Sequence, residues 1–220
     1  MIKKFTSNKG WATLTRAGMA FVAAGFLSTA GAAVSPTSEY AAGANASLAQ
    51  QIGINASSEE NYSLGAQAFR RGDHAGAVRF WEMAGDQGHW RAQHNLGYAY
   101  ATGTGVTVNY EQAAYWWQRA AYQGIAEAQY NLGALYYDGR GVAQDAEAAL
   151  LWWYRAANGG DAAAQFRLGL VAVSGEEGGA VNFSEAEWWW HQSAAKGFKP
   201  AIQGLEMLKA QEQLVRRSTN

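Results

Sequence analysis

Residues 95–129 read NLGYAYATGTGVTVNYEQAAYWWQRAAYQGIAEAQ, and the fold follows from this stretch. It opens with Leu96-Gly97, breaks at Gly103-Thr104-Gly105-Val106, resumes with Ala113-Ala114 and Trp116-Trp117, and closes with Ala120-Ala121 and Gly124. The same order returns as Leu132-Gly133, Gly139-Arg140-Gly141-Val142, Ala148-Ala149, Trp152-Trp153, Ala156-Ala157 and Gly160. A third copy runs Leu168-Gly169, Gly175, Ala186, Trp189-Trp190, Ala194-Ala195 and Gly197, and a shorter one, Leu64-Gly65 to Gly88, precedes them all. The Leu-Gly pairs start at 64, 96, 132 and 168. A period of this length, with two helical pieces per unit, is the pattern of an all-α solenoid.

Helical spacing places the elements. The first unit has helix A near 60–71 and helix B near 74–86, joined by a tight turn at Gly72-Asp73. The second has helix A over 91–101, a loop over 103–108, and helix B over 110–123. Asn109 is its N-cap with Gln112 three residues on, and Gly124 its C-cap. The third predicts helices over 126–137 and 146–158 with Asp145 as N-cap, the fourth over 162–173 and 183–196 with Asn182 as N-cap. The middle loop of the fourth, Gly175 to Gly179, carries one extra residue. Pro200 opens a last helix over 199–217, apolar at Ile202, Leu205 and Leu208 and charged opposite, as a terminal cap should be. The expected organisation is 1–32 signal peptide or membrane anchor, 33–58 flexible lead-in with a short helix near 47–52, 59–198 repeats, and 199–217 capping helix.

The repeated residues are small where helices must approach. Gly97, Gly133 and Gly169 allow helix A to meet a neighbour, and Ala113, Ala149 and Ala186 do so for helix B. Trp117, Trp153 and Trp190 are expected to fill the wider gap between layers. Trp116, Trp152 and Trp189 lie about 100° further round the helix. They either pack between repeats or, with Trp188, expose an aromatic stripe for a protein or glycan partner. On helix A, Asn95, Asn131 and Arg167 neighbour the inward leucines, with Arg91, Tyr98 and Glu127 a turn away. This row is either a docking surface for a peptide or protein or a merely solvated face.

The N-terminus carries Lys3, Lys4, Lys9 and Arg16 without an acid, then an apolar run over 17–34 and a small-x-small site at Ala30-Gly31-Ala32. This is the layout of a secretory signal. Retention of 17–34 as a membrane anchor, or its burial as a core helix, are the alternatives. Cleavage after Ala32 takes the formal charge from −1 to −5, which argues against nucleic acid as a partner.

No catalytic or metal constellation is legible. The chain has no cysteine, which excludes disulfides, thiol nucleophiles and thiolate metal sites. His74, His89, His94 and His191 form no His-Glu-x-x-His frame, and the Gly-x-Gly pairs precede no Lys-Ser or Lys-Thr. No cofactor is expected, and a weak hydrolase or carbohydrate module is the least favoured reading.

The order Leu-Gly, Gly-x-Gly-Val, Ala, Trp, Ala-Ala, Gly at 36 residues resembles the Sel-one-like repeat family, relatives of the tetratricopeptide repeat. The match is sharpest over 94–128 and 130–164, good over 166–197 and degenerate over 62–93. The resemblance implies a right-handed alpha-alpha superhelix serving as an adaptor or scaffold. It also implies an exported, periplasmic or secreted protein of the bacterial envelope, for which a permanent subunit of a membrane-associated assembly is the alternative. Some secreted relatives are cysteine-rich and are linked to binding penicillin-like compounds. This chain departs from them entirely, so that activity is not carried over.

Overall fold

The computed structural model describes residues 56–175 and 180–218. The expected signal or anchor, most of the lead-in with its short helix, and the extra loop residue of the fourth repeat lie outside the described residues. Within them the chain is all-helical: α1 (Ser58–Arg70), α2 (His74–Asp86), α3 (Trp90–Thr102), α4 (Tyr110–Tyr122), α5 (Ala126–Asp138), α6 (Ala146–Asn158), α7 (Ala162–Ser174), α8 (Phe183–Ala194) and α9 (Lys199–Ser218). These are the A and B helices of four repeats followed by a terminal helix. Their ends fall within a residue or two of the sequence reading, as helix ends ordinarily do. None of the described helices is long and apolar enough to cross a membrane. Two compact units divide at 145/146.

In the unit comprising 56–145, α1 pairs with α2 and α3 with α4, while α2–α3 and α4–α5 contacts join successive repeats. Polar caps start α1 to α4, while α5 follows Ile125 with no side-chain cap. Ser57 and Glu60 form a capping box on α1, and Asp73, His89 and Asn109 accept from the third N–H of α2, α3 and α4. The two tryptophans of α4 serve two different interfaces. Trp117 is fully buried with its indole lying against Gly97, where a Cβ would overlap the ring, and its Nε1–H donates to the His94 carbonyl at 3.2 Å. It therefore fills the hairpin of its own repeat, not the space between layers. Trp116 faces the other way, into a cluster with Trp81, Ala84, Ala92 and Leu96. Its ring meets Gly85 of the preceding repeat.

In the unit comprising 146–218, Trp190 repeats the first arrangement. It lies on Gly169 and donates to the Phe166 carbonyl at 3.0 Å. The other side of Trp190 meets Gly204 of α9, and Ala201, Leu205 and Leu208 close the core. Glu206 follows Leu205 where each repeat has glycine after leucine, so α9 offers no seat for another tryptophan.

A buried glutamine joins each repeat to the one before. Gln93, Gln129 and Gln165 donate through Nε2 to the carbonyls of Gly85, Ala121 and Ala157 at 2.9, 3.0 and 3.0 Å. Each acceptor belongs to the last turn of a B helix, where carbonyls have no partner within the helix. The Ala121 carbonyl also accepts the Gly124 N–H at 3.0 Å, so Gln129→Leu should cost only the one hydrogen bond, about 0.5–1.5 kcal/mol, read as a lower denaturant midpoint at unchanged m-value.

The Gly-x-Gly loops combine a left-handed backbone with close approach. Gly141 has φ +71°, and a Cβ there would run into the backbone of Tyr110 at the start of α4; Gly105, φ +78°, sits in the same way on His74. Gly72 has φ +84° and open space around it. Gly72→Ala should therefore cost only the left-handed penalty, about 1–2 kcal/mol. Gly141→Ala should cost more, because backbone cannot swing aside as a side chain can. Thermal melts of the two variants test this ordering.

Candidate functional site

Helix A residues of the 56–145 unit form one polar, part-open surface. On α3, Arg91 is exposed and Asn95 and Tyr98 are half-buried; on α5, Glu127 is exposed and Asn131 half-buried. The two helices touch, which brings these five residues together. Their positions repeat every three to four residues, so they share one helix face. The Arg91 guanidinium stacks on Trp90 at 4.5 Å from the ring centroid, and Trp90 is 38% exposed. Glu59 on α1 extends the surface: its carboxylate accepts from His89 Nε2 at 3.0 Å, and the His89 ring stacks on Tyr62 at 4.4 Å. His89 Nδ1 accepts the Ala92 N–H, which leaves Nε2 as the protonated nitrogen.

His94 lies within this surface. Burial holds its pKa below the ordinary value of 6.5, partly opposed by the Glu127 charge and a hydrogen bond with Asn95. The unfolded chain then binds a proton that the folded one resists. This contribution is intact above pH 6.5 and declines as pH falls below it toward the lowered folded pKa. Denaturation from pH 7.5 down to about 5 should show a smaller acid loss in His94→Gln than in the parent chain.

Four other expected site residues do not reach a surface. In the 146–218 unit, Arg167 is buried with its guanidinium 4.6 Å from the Trp153 ring centroid. Trp116, Trp152 and Trp189 are only 5%, 6% and 6% exposed, so they cannot form an open stripe. Arginines cover two of them: Arg119 lies 5.1 Å over Trp116 and Arg155 4.7 Å over Trp152. Tyr154 and Trp188 edge against Trp189. The exposed slot is the preceding one, holding Tyr115, Leu151 and Trp188, the last 54% exposed. Arg119 is fixed by Asp86 at 3.2 Å and by the Tyr115 hydroxyl at 3.0 Å. Sequence reasoning also missed the buried glutamines and the Glu59 contribution. Recurrence of Gln at 93, 129 and 165 was the available signal for the former.

Among the described residues no three His, Asp or Glu side chains are grouped to hold a metal ion. The surface offers hydrogen bonds, charges of both signs and aromatic area, which suit non-covalent recognition of a chain segment.

A family model described as Sel1 repeat matches four consecutive stretches: 57–89, 90–125, 126–161 and 162–198. Among solved structures, a Sel1 repeat protein from Oxalobacter formigenes is 31% identical, with 66% of this chain and 60% of that chain covered and a TM-score of 0.61. A second is c5321, a protective antigen present in uropathogenic Escherichia coli strains and displaying an SLR fold. It is 29% identical over 70% of this chain and 33% of that one, with a TM-score of 0.62. The chain thus spans less than two thirds of the length of either structure. No curated protein is similar enough to count as a relative. With four tandem matches over well more than half its residues, each spanning two helices, the chain belongs to the Sel1 repeat family.

Proposed function

We propose that the chain is a non-enzymatic docking scaffold exported to the bacterial cell envelope, where its helix A surface holds a segment of a partner protein. Sel1 repeats are protein–protein interaction modules, and four of them make up the body of this chain. The surface of Arg91, Asn95, Tyr98, Glu127 and Asn131 is the observation that supports this site: adjacent A helices leave these polar groups open while their leucines and glycines are buried. Export is supported by the basic, apolar and small-residue order of 1–32.

A photo-crosslinking residue at position 95 should trap the partner, and one at position 115 on helix B should not. Equal trapping at both would remove the site assignment. Asn95→Ala with Asn131→Ala should weaken the complex without lowering the melting temperature. N-terminal sequencing of the native protein should begin at Ala33. A chain retained in membranes and beginning at Met1 would instead favour a permanent, anchored subunit.

A further inference from the structure

We infer that residues 47–55, which lie outside the described residues, dock ahead of α1 as the last turns of a B-type helix, so that the chain's own lead-in caps the array. This seat serves the chain itself and does not involve the partner segment proposed above. Hydrogen bonds carry the repeat register past the start of α1. Where the first repeat joins the second, Gln123 Nε2 donates to the Gly88 carbonyl at 3.0 Å, and His89 caps α3. The same arrangement stands one step earlier. Gln87 Nε2 donates to the Ala56 carbonyl at 3.4 Å, and Ser57 caps α1. Gln87 precedes Gln123 by 36 positions, as Trp81 precedes Trp117. Ala56 and Ser57 precede Gly88 and His89 by 32, as Leu64 precedes Leu96. The Asn61 amide also donates to the Ala56 carbonyl, at 3.2 Å. The chain therefore enters α1 by the path that leads from a B helix into α3.

The seat is defined by what surrounds Gly85 at the next joint. A Cβ on Gly85 would meet Trp116, Leu96 and Gln93 at 3.0, 3.1 and 3.5 Å. One repeat earlier the same three slots hold Phe80, Leu64 and Asn61. Phe80 and Leu64 are only half-buried, whereas Trp116 and Leu96 are buried. Asn61 is fully buried, and its Oδ1 accepts no hydrogen bond among the described residues, whereas Gln93 Oε1 accepts from Gln123. The residue in the Gly85 slot of this earlier joint is Gly53. The glycine that lets a neighbouring ring approach is thus repeated ahead of the first repeat. In helical register Leu48 and Ile52 lie one turn apart, and Gln50 and Gln51 point away from them. An apolar inner side and a polar outer side are what a terminal cap requires. Ala49 stands where the repeats carry the hairpin tryptophan, because a B-type helix without an A helix of its own has no hairpin to fill. Residues 47–55 stay on the chain whether or not 1–32 is removed.

The test is amide hydrogen exchange on the full chain, read over residues 61–68 of α1. Leu48→Asp with Ile52→Asp should speed exchange there roughly tenfold or more, from the loss of two apolar contacts, and leave α9 unchanged. Gly53→Leu should act in the same direction, because the seat has no room for a side chain at that slot. Gln50→Asp with Gln51→Asp adds the same charge on the outer side and should leave α1 as it is. Unchanged exchange in both the Leu48/Ile52 and the Gly53 variants overturns the inference. An equal effect of the Gln50/Gln51 pair overturns the register. Protection of α1 that rises with protein concentration would put a second copy's segment in the seat and overturn capping by the chain itself. Crosslinking from position 95 reports on the partner surface alone, so either reading can fail without the other.

Discussion

Trp117→Ala is expected to lower stability by about 3–5 kcal/mol, a third or more of what a domain of this kind ordinarily has. The side chain is fully buried, and its ring occupies the space that Gly97 leaves open. Removing it empties the centre of the α3–α4 hairpin and removes the Nε1 hydrogen bond that the His94 carbonyl accepts at 3.2 Å in addition to its helical one. Neighbouring helix backbone cannot collapse into so large a void. Trp117→Phe separates the two contributions: it keeps much of the ring volume and loses only the hydrogen bond, so it should fall between parent and alanine variant. Chemical denaturation followed by far-ultraviolet circular dichroism measures both. A loss below about 1 kcal/mol for the alanine variant would mean that the hairpin does not depend on this side chain.

Gly169→Ala sets two effects against each other. Alanine in a helix interior is favoured over glycine by about 0.8–1.0 kcal/mol. At position 169 the added methyl lands on the indole of Trp190, far inside contact distance. Trp190 is fully buried, is anchored to Phe166, and has Gly204 of α9 on its other side, so the ring has nowhere to retreat. Overpacking of this kind costs about 1–3 kcal/mol and outweighs the helix gain. We expect net destabilisation, with loosening of α9 visible as faster amide exchange over residues 201–208. A stabilised Gly169→Ala variant would show that the ring can move.

The repeat was legible because sequence period maps directly onto structural period: leucine, glycine, alanine and tryptophan recur at fixed spacing. The direction in which each tryptophan points was less accessible. The spacing of Trp116 and Trp117 shows that they face about 100° apart. Only the paired glycines show which interface each one serves. Gly97 receives Trp117 within the repeat, and Gly85 receives Trp116 from the next. Burial of the first tryptophan depends on Arg119 and Arg155, long side chains that read as solvent-facing but lay their guanidinium groups over the rings. For the candidate site, helical spacing was enough to group Arg91, Asn95 and Tyr98. It was not enough to exclude Arg167, which has the same slot in the fourth repeat and is buried over Trp153.

The glutamine that crosses each joint has a consequence for how the array comes apart. Gln93, Gln129 and Gln165 find their acceptors only in the helix that precedes them. When one hairpin opens, the next loses the acceptor for a side chain it still holds out of water. Within the 56–145 unit, opening of α2 or α4 is therefore felt by the helix that follows it. The first hairpin contributes only an acceptor, the Gly85 carbonyl, because its own Asn61 turns back to the Ala56 carbonyl, within its own segment. Pulled from residues 58 and 138, the 56–145 unit should yield in a few large steps instead of a smooth succession of small ones.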